Sequence, residues 1–444
     1  MIMKKIITYG TFDLFHEGHR RLLERAKALG DYLIVGVTTQ HFDESRGKVN
    51  VVDSIMERIE NVKNTGFVDE IIVEDHDGQK IEDIQKYGID TFAIGSDWKG
   101  TFDYLEDFCN VVYLERTPYI SSTIIRKKTF KIVRIGIIGT GRIAPRFLSE
   151  SKFVSGASVE VAFNPNRESG NLFSKNHSIK VYDTDFNRFV DEVDAVYIAS
   201  PNETHYEYAK KAISAGKHVL SEKPLTFTNK DTKELYEMAD KKNVVLMEGI
   251  RAAYCPGFQQ LINIAKSGRI GKICDVDANV TRLANPNSRE MIDSKYGGAF
   301  LEYGSYALLP IIKLLGKKYD NLIIRTMRDE NGTDIFTKVC MEYKNAFASL
   351  KVGIGVKTEG QLIISGTKGY IVVESPWWLT KKFNVRYENP DKIESYEPVF
   401  QGDGFRYEIS DFVKKINGKF ENGYKLTKDE TIAISDIVEK YMNN

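Results

Sequence analysis

An α/β fold in two successive segments, followed by a sheet-rich segment, is the architecture that this sequence predicts. Twice a short apolar strand passes through a glycine-containing turn into a helix, first in KKIITYGTFDLFHEGH and again in KIVRIGIIGTGRIA. Strands then alternate with helices in both segments, which indicates parallel sheets with crossover helices. The last segment contains strands of alternating polarity, including FTKVCMEY, AFASLKVGI and GYIVVES, a pattern typical of an open, mainly antiparallel sheet. We expect domains over residues 1–129, 130–249 and 250–444, the third an α+β domain.

Length and charge narrow the class of protein. The chain has 444 residues, and at roughly 150 residues per domain this length predicts about three domains. Lysine plus arginine and aspartate plus glutamate number 62 each, so no overall positive field favours nucleic acid or an anionic membrane surface. We therefore expect the partners to be small molecules.

Cysteine usage and hydropathy predict a cytoplasmic, soluble enzyme. Cys109, Cys255, Cys274 and Cys340 show no paired CxxC spacing, and we expect them to be reduced thiols of the core. The first residues lack the apolar region of a signal peptide. No segment approaches the roughly 20 apolar residues that a membrane span requires.

A turn with two histidines stands at the start of the first predicted helix. His16 and His19 are three residues apart, so they project to one side if the first helical turn includes both. Backbone N–H groups and the helix dipole favour a bound phosphate at such a position, and Gly18 leaves room for it to approach the backbone. A purely structural role for the two histidines is the alternative interpretation.

The motifs of this segment resemble those of the HxGH nucleotidylyltransferases. GTFDLFHEGH and RTPYISSTIIR resemble the two signatures of that family, and GSDWKGTFDYL between them resembles the glycerol-3-phosphate cytidylyltransferases. The resemblance implies a Rossmann-like fold and cytidylyl transfer from CTP to a polyol phosphate, with Mg²⁺ assisting and pyrophosphate released. Such a reaction requires positioning and charge stabilisation rather than a nucleophilic side chain.

The same resemblance assigns residues to this predicted site. His16 and His19 would contact the triphosphate and stabilise the transition state. The residues implied to bind CTP or the substrate phosphate are Thr11, Phe12, Arg46, Lys48, Asp97, Trp98, Arg116, Ser121, Thr123 and Arg126. For Arg46 and Lys48 a solvated loop is the alternative. Tyr119 stands where the family usually has glycine, which leaves the identity of the acceptor open.

A glycine-rich turn opens the second segment and predicts a dinucleotide cofactor. Its residues are Gly139, Thr140, Gly141, Arg142, Ile143 and Ala144, which form GxGxxA between a strand and a helix. The next strand ends at Asn164, where many NAD enzymes carry a carboxylate for the ribose hydroxyls. The missing carboxylate and the nearby Arg167 favour NADP, with NAD as the alternative. Arg167 pointing into solvent is the other interpretation.

A second resemblance extends from about residue 133 to the C-terminus. VDAVYIASPNETHYEYAKKAISAGKHVLSEKP, together with GxGxxA, resembles the Gfo/Idh/MocA oxidoreductases, and EKP is the most specific part of the match. The resemblance implies that Pro201, Asn202 and His205 line the cofactor. It also implies that Glu222 and Lys223 lie beside the nicotinamide.

A motif in the third segment supplies the predicted substrate side. GGAFLEYGSYA resembles a helix start of the same family, with Glu302 where aspartate is usual, and Glu302 and Tyr306 share a helical face. Hydride transfer at a carbon bearing oxygen requires a proton to move at that oxygen, and we predict Tyr306 as the general acid or base. Lys223 would polarise the oxygen and lower the pKa of Tyr306 by its charge, and Glu302 would orient the pair. A core or surface tyrosine is the alternative.

Two activities on one chain suggest that one makes the substrate of the other. We expect the reductase half to convert a ketose phosphate, or dihydroxyacetone phosphate, to a polyol phosphate. The N-terminal half would convert that into a CDP-polyol for a surface polysaccharide such as a capsule or a teichoic-acid-like polymer. In the alternatives the oxidoreductase acts on an unrelated sugar or on the CDP-linked product, or one half is non-catalytic. Both families commonly form homo-oligomers, which predicts an oligomeric protein.

Overall fold

Two compact units make up the folded chain. The computed structural model describes residues 3–45, 48, 51–115, 132–398, 400–418 and 423–444. By their internal contacts the residues separate into Met1–Ile132 with Phe153–Gly156, and Val133–Lys152 with Ala157–Asn444.

The first unit is built on a parallel sheet. Its described strands are β1 (Lys5–Gly10), β2 (Tyr32–Thr38), β3 (Glu70–Glu74), β4 (Thr91–Gly95) and β5 (Asn110–Leu114), and its described helices are α1 (Glu17–Lys27), α2 (Gln40–Ser45), α3 (Ile55–Lys63) and α4 (Gln79–Tyr87). The strand order is β3-β2-β1-β4-β5, and all four pairings are parallel. Ile6 and Ile7 of β1 lie in two different apolar clusters, because successive side chains of a strand point to opposite faces. One cluster contains residues of α1 and α3 and the other contains Ile84 of α4, so helices cover both faces.

A second parallel sheet begins the other unit. Its strands are β6 (Val133–Ile138), β7 (Ala157–Phe163), β8 (Lys180–Tyr182), β9 (Ala195–Ile198), β10 (His218–Glu222) and β11 (Leu246–Gly249), and its helices are α5 (Ala144–Ser151), α6 (Arg167–His177), α7 (Phe186–Asp191), α8 (His205–Ser214) and α9 (Asn229–Lys242). The strand order is β11-β10-β9-β6-β7-β8, with parallel pairings throughout. The order reverses at β6, and ligands of such sheets bind outside the carboxyl ends of the strands at this point.

The C-terminal part of the second unit is a large open sheet with helices packed against it. Its strands are β12 (Ile273–Thr281), β13 (Asn321–Arg328), β14 (Asp334–Tyr343), β15 (Ala346–Gly353), β16 (Leu362–Gly366), β17 (Tyr370–Val373), β18 (Phe383–Arg386) and β19 (Ile393–Tyr396). Its helices are α10 (Pro256–Lys266), α11 (Arg289–Ile292), α12 (Ala299–Leu315), α13 (Phe405–Ile416) and α14 (Lys428–Met442). The order is β13-β14-β15-β12-β16-β17-β18-β19, and only the β12–β15 pairing among these described strands is parallel. Two parallel-sheet folds and a mainly antiparallel sheet confirm the predicted fold class.

A buried ion pair holds the helix that follows the glycine-rich turn. Glu150 of α5 accepts a hydrogen bond from Nε of Arg406 on α13 at 2.9 Å, and both side chains are buried. Arg146 of the same helix donates from Nε to Asp403 at 2.7 Å. Separating a buried pair leaves an uncompensated charge, so α5 is held firmly against α13.

The sequence predicted that the cysteines are reduced thiols of the core and that no helix spans a membrane. All four cysteines are unpaired; Cys255 is buried, whereas Cys109, Cys274 and Cys340 are only partly buried. The expectation of a core position therefore holds fully for Cys255, while Cys109 packs against the apolar cluster that contains Ile7. Among the helices in the described ranges, none combines the length and the apolar character that crossing a membrane would require.

Candidate active sites

The loop that leaves β1 carries the predicted nucleotide-binding residues in a constrained conformation. Phe12 and Leu14 have φ values of 52° and 50°, a left-handed conformation that residues other than glycine rarely adopt. Asp13 Oδ1 accepts backbone hydrogen bonds from Val52 at 3.0 Å and Asp53 at 2.9 Å, and the Leu14 amide donates to Asp53 Oδ2 at 2.8 Å. These reciprocal bonds hold the strained backbone in place, as is common where a loop must present a site.

A buried arginine forms a hydrogen bond to the backbone of the same loop. Nη1 of Arg58, on α3, donates to the backbone oxygens of Thr11 and Thr38 at 2.8 Å each, and lies 3.5 Å from Asp43 Oδ2. Thr11 donates from Oγ1 to Asp43 Oδ1 at 2.9 Å, so the predicted nucleotide residue Thr11 belongs to this network. Neither Arg58 nor Asp43 was predicted from the sequence. One signal was present, because Arg58 precedes the buried Val62 by four residues and so shares its helical face.

His16 and His19 are brought together at the start of α1. His16 is the N-cap residue, and its Nδ1 accepts the amides of Gly18 at 3.0 Å and His19 at 3.3 Å. The two imidazole rings are stacked, with centroids 3.8 Å apart. Since Nδ1 of His16 accepts, its proton lies on Nε2 when the ring is neutral. A phosphate bound here would therefore accept a hydrogen bond from the imidazole N–H. The two amides already donate to His16 Nδ1.

Of the other residues predicted to bind CTP or the substrate phosphate, some lie near the histidine loop and some lie outside the described part of the chain. Asp97 and Trp98 lie in a single turn of 3₁₀ helix (Ser96–Trp98) directly after β4. Because β4 is parallel to β1, this turn leaves the sheet at the same edge as the histidine loop. The backbone of Lys48 donates to the oxygen of Asp43 at 2.7 Å, next to the Arg58 network. The predicted residues outside the described part of the chain are Arg46, Arg116, Ser121, Thr123 and Arg126, and Tyr119 lies outside it too.

The glycine-rich turn of the second unit has the geometry that a dinucleotide requires. Gly139 has φ of +94°, and a Cβ there would lie 2.7 Å from the backbone oxygen of Ala199, so only glycine fits. At Gly141 a Cβ would meet nothing within 4 Å, which leaves open space for a pyrophosphate beside the backbone. Thr140 hydrogen-bonds through Oγ1 to the hydroxyl of Ser169 at 2.9 Å. Arg142 and Ile143 complete the turn before α5, so the residues present fit the predicted cofactor.

The arginine predicted to meet a 2′-phosphate, Arg167, is paired with an aspartate, Asp183, that was not predicted from the sequence. Asn164 follows β7, accepts the amide of Asn166 at 2.9 Å and donates to Thr140 of the glycine-rich turn. Arg167 donates from Nε to Asp183 at 2.6 Å, and the arginine side chain is 75% exposed. Such an exposed pair is weak, so Arg167 remains able to turn toward a 2′-phosphate.

The loops after β9 and β10 are joined by a buried histidine. His205 is fully buried, with Nδ1 2.8 Å from the oxygen of Pro224 and Nε2 3.0 Å from that of Ser200. Burial lowers the pKa of His205, which favours the neutral ring. Asn202, which follows Pro201, donates to the backbone oxygen of Tyr296 at 3.2 Å. As a neutral ring His205 donates to only one of these two carbonyl oxygens, but it is packed between both loops. Contact of Pro201, Asn202 and His205 with a cofactor stays a prediction.

Glu302 links two cationic side chains, those of Lys223 and Arg142. Lys223 is 9% exposed, and its Nζ donates to the backbone oxygen of Glu302 at 2.7 Å and to Oε2 at 3.3 Å. The other carboxylate oxygen of Glu302 lies 3.5 Å from Nη2 of Arg142, whose Nη1 donates to Glu290 at 3.1 Å. The structure thus brings the predicted Lys223 and Glu302 together. Glu302 has one methylene more than aspartate, and its two oxygens serve two different cations.

Tyr306 lies one helical turn beyond Glu302. Nζ of Lys223 is 5.9 Å from the centroid of its ring. Burial raises the pKa of Tyr306, and the main charge that opposes this rise is that of Arg251 rather than that of Lys223. The phenol is therefore protonated at neutral pH, which suits a proton donor. The expectation that Lys223 acts on this pKa was incomplete, because its ammonium group is directed to Glu302.

Three ionisable residues lie near this site: Glu222, which was predicted beside the nicotinamide, and Glu408 and Arg251, which were not foreseen. Glu222, at the end of β10, accepts from the hydroxyl of Tyr197 at 2.6 Å. Glu408 of α13 is fully buried, and neither carboxylate oxygen has a hydrogen-bond partner among the described residues. Burial, followed by the charge of Glu222, raises the pKa of Glu408 well above its usual range. Arg251 begins a 3₁₀ turn (Arg251–Tyr254) after β11, and an arginine directly after a buried strand was the available signal.

Family models match three parts of the chain. A model described as cytidylyltransferase-like matches residues 7–128. A model described as oxidoreductase family, NAD-binding Rossmann fold, matches residues 133–250. The GFO/IDH/MocA C-terminal domain matches residues 258–372.

Individual proteins show similarity to the same parts. The glycerol-3-phosphate cytidylyltransferase of Bacillus spizizenii is 55% identical over 125 residues, which are 28% of this chain and 96% of the relative. The scyllo-inositol 2-dehydrogenase (NADP(+)) of Bacillus subtilis is 24% identical over 318 residues, which are 70% of this chain and 96% of the relative. The solved structure of a 3-ketoreductase from Actinomadura kijaniata, in complex with NADP and TDP-benzene, has a TM-score of 0.61 at 21% identity, covering 69% of this chain and 96% of that one.

Proposed function

The chain belongs to the cytidylyltransferases in its first unit and to the GFO/IDH/MocA oxidoreductases in its second, and from this premise we propose that the two units catalyse consecutive reactions. The second unit reduces a ketose phosphate, dihydroxyacetone phosphate included, to a polyol phosphate with NADPH, or with NADH. The first unit transfers a cytidylyl group from CTP to that phosphate and releases pyrophosphate. The CDP-polyol then serves the synthesis of a surface polysaccharide such as a capsule or teichoic-acid-like polymer.

The chemistry of the second unit is supported best by the Lys223 and Tyr306 arrangement. A nicotinamide dinucleotide, with its pyrophosphate at the turn of Gly139 and Gly141, would supply the hydride when bound. Lys223 approaches the substrate oxygen with its ammonium group and stabilises the negative charge that develops there. Tyr306, protonated at neutral pH, donates the proton that completes the alcohol. Glu302 orients Lys223 through its backbone and carboxylate oxygens.

The chemistry of the first unit is supported by the paired histidines. The phosphate of the acceptor attacks the α-phosphorus of CTP in line, and pyrophosphate leaves. The Nε2–H group of His16, beside the stacked His19, stabilises the charge on the phosphate oxygens in this step. Mg²⁺ would arrive with the CTP phosphates.

One observation carries the coupling of the two reactions. A reductase unit with a proton donor and a cation shares its chain with a unit that is 55% identical to an enzyme named for glycerol 3-phosphate, an alcohol phosphate. Reduction of a ketose phosphate yields a molecule of that class. The product of one unit would therefore be the acceptor of the other.

A substrate screen tests this proposal. Three- to seven-carbon ketose phosphates are incubated with NADPH and CTP, and products are analysed for CDP-linked polyols. With the matching substrate we expect NADPH oxidation without CTP, and a CDP-polyol only when both are present. His16→Ala should accumulate the alditol phosphate, and Lys223→Met should form the CDP-polyol only from added alditol phosphate. Normal cytidylylation of alditol phosphates without NADPH oxidation by any ketose phosphate would contradict the proposal, and so would reduction that requires a CDP-linked substrate.

Cofactor preference is expected to follow the residue at the end of β7. Replacing Asn164 with aspartate should raise the ratio of KM for NADPH to KM for NADH about tenfold or more, because a carboxylate there repels a 2′-phosphate and accepts ribose hydroxyls. Steady-state kinetics with both dinucleotides measure this ratio. Asn171→Asp places the same charge on an exposed position of α6 and serves as the matched control. A similar change in both variants would show that Asn164 does not face the ribose.

A further inference from the structure

Arg251 lies at the edge of the second unit's parallel sheet where Lys223 also lies. It directly follows Ile250, and β11 ends one residue earlier at Gly249. Gly249 is paired with Glu222 across β10 and β11, so Arg251 and Lys223 each leave their strand just beyond the same register position. Arg251 interacts electrostatically with Tyr306, so the guanidinium and the phenol are neighbours at this edge of the sheet.

The guanidinium of Arg251 is held in position without being neutralised by a contact. It stacks over the ring of Phe405, with its central carbon 4.5 Å from the ring centroid. Within the described residues its side chain forms no ion pair and no hydrogen bond. By contrast, Arg142, Arg146 and Arg406 of the same unit are each paired with a carboxylate. The N–H donors of Arg251 are therefore available to a ligand.

The neighbouring acids offset this positive charge only in part. Glu222 accepts from the hydroxyl of Tyr197 and also interacts electrostatically with Arg251. The raised pKa of Glu408, which burial causes, favours its neutral form. Lys223 adds a second cation, with Nζ 5.9 Å from the centroid of the Tyr306 ring, although it is shared with Glu302. The neighbourhood of Tyr306 thus contains an oriented arginine that suits an anion.

We propose that Arg251 binds an anionic substituent of the reductase's substrate, and that this substituent is a phosphate. The inference rests on the proposed function for the choice of phosphate, but not for the anion site itself. A planar guanidinium can donate two parallel hydrogen bonds to a phosphate or a carboxylate, and stacking on Phe405 reduces the freedom lost on binding. A substrate held by its phosphate at Arg251 would direct its carbonyl oxygen to Lys223 and Tyr306.

Discrimination between phosphorylated and unphosphorylated substrates is the kinetic test. Arg251→Met retains an unbranched side chain over Phe405 but loses the charge. We expect it to raise KM for the ketose phosphate about 100-fold, with little change for the dephosphorylated ketose. Arg251→Lys should recover part of the loss. Arg146→Met is the matched control, because Arg146 stacks on the same ring at 5.5 Å but is already paired with Asp403, and its discrimination should stay unchanged.

A binding test separates this inference from the proposed function, because it does not depend on turnover. The fluorescence of bound NADPH reports only on the reductase site, so the full-length protein loaded with NADPH is titrated with an alditol, its phosphate and the matching aldonate. Wild-type protein should bind the phosphate most tightly, and Arg251→Met should weaken that binding about 100-fold. Tighter binding of the aldonate would overturn the choice of phosphate.

Three further outcomes are distinct. Retained preference for the phosphate in Arg251→Met would overturn the inference while leaving the proposed function intact. Equal losses for both forms of the substrate, with a shifted pH profile, would show that Arg251 acts only through Tyr306. Arg251-dependent phosphate binding without reduction of any ketose phosphate would support the anion site and contradict the proposed function.

Discussion

Replacing Lys223 with methionine is expected to lower kcat for ketose phosphate reduction about 1000-fold, because the developing negative charge on the substrate oxygen loses its cation. Methionine keeps the unbranched, largely apolar part of the lysine side chain. The Nζ contacts to the backbone and carboxylate of Glu302 are also lost, so the substituted site lacks both the charge and the group that Glu302 orients. Cytidylyl transfer to a supplied alditol phosphate should be unchanged. Stopped-flow measurement of NADPH oxidation checks the first expectation, and CDP-polyol analysis the second.

A matched lysine separates the chemistry from general effects of losing a lysine. Lys217 precedes the same strand, β10, at its opposite end, and its Nζ donates to the backbone oxygen of Val193 at 2.9 Å. Lys217→Met therefore also removes a lysine-to-carbonyl hydrogen bond, but far from the carboxyl edge of the sheet. We expect it to leave kcat nearly unchanged. A loss below tenfold in Lys223→Met, or an equal loss in both variants, would contradict the catalytic role.

Replacing His16 with alanine is expected to reduce cytidylyl transfer about 1000-fold while NADPH oxidation stays unchanged, because a charge-stabilising donor to phosphate is removed. His16 also caps α1 by accepting two amides, so alanine should lower the stability of the first unit by about 1 kcal/mol as well. Activity alone would not distinguish these two effects.

Asparagine at the same position provides the distinction. His16→Asn retains a side-chain acceptor of the kind that helix N-caps prefer, but it lacks the imidazole Nε2–H group. We expect it to recover most of the thermal stability and little of the activity, measured by calorimetry and by pyrophosphate release. Recovery of both would show that His16 acts only as a cap. Unchanged activity in His16→Ala would remove the histidine pair from the proposed mechanism.

Much of the fold was predictable because it depends on local pattern. The strand, turn and helix order around His16 and around Gly139 indicated both parallel sheets, and alternating polarity indicated the third. Lys223 and Tyr306 were predicted as a pair that Glu302 orients, and the structure places Lys223 in contact with Glu302 although 79 residues separate them.

The functional residues that were not predicted from the sequence were missed for one physical reason. Arg58, Asp43, Arg251 and Glu408 act from elements whose packing, not whose spacing, brings them to a site. Glu408 has the position of an ordinary acidic residue in the first turn of a helix, and nothing in its own segment indicates complete burial. Asp183 lies on the segment after the next strand, so its contact with Arg167 was not visible in the ribose motif.

The carboxylate that Lys223 and Arg142 share has a consequence for how cofactor and substrate affect each other's binding. Arg142 belongs to the turn that would receive a dinucleotide's phosphates, so an arriving cofactor competes with Glu302 for that arginine. When Arg142 turns to phosphate, Glu302 is left to Lys223 alone, and the lysine is held more firmly for the substrate. Such linkage is reciprocal: whatever cofactor does for substrate affinity, substrate does for cofactor affinity to the same degree. We therefore expect cofactor and substrate to bind the reductase with positive cooperativity, because both depend on the same glutamate.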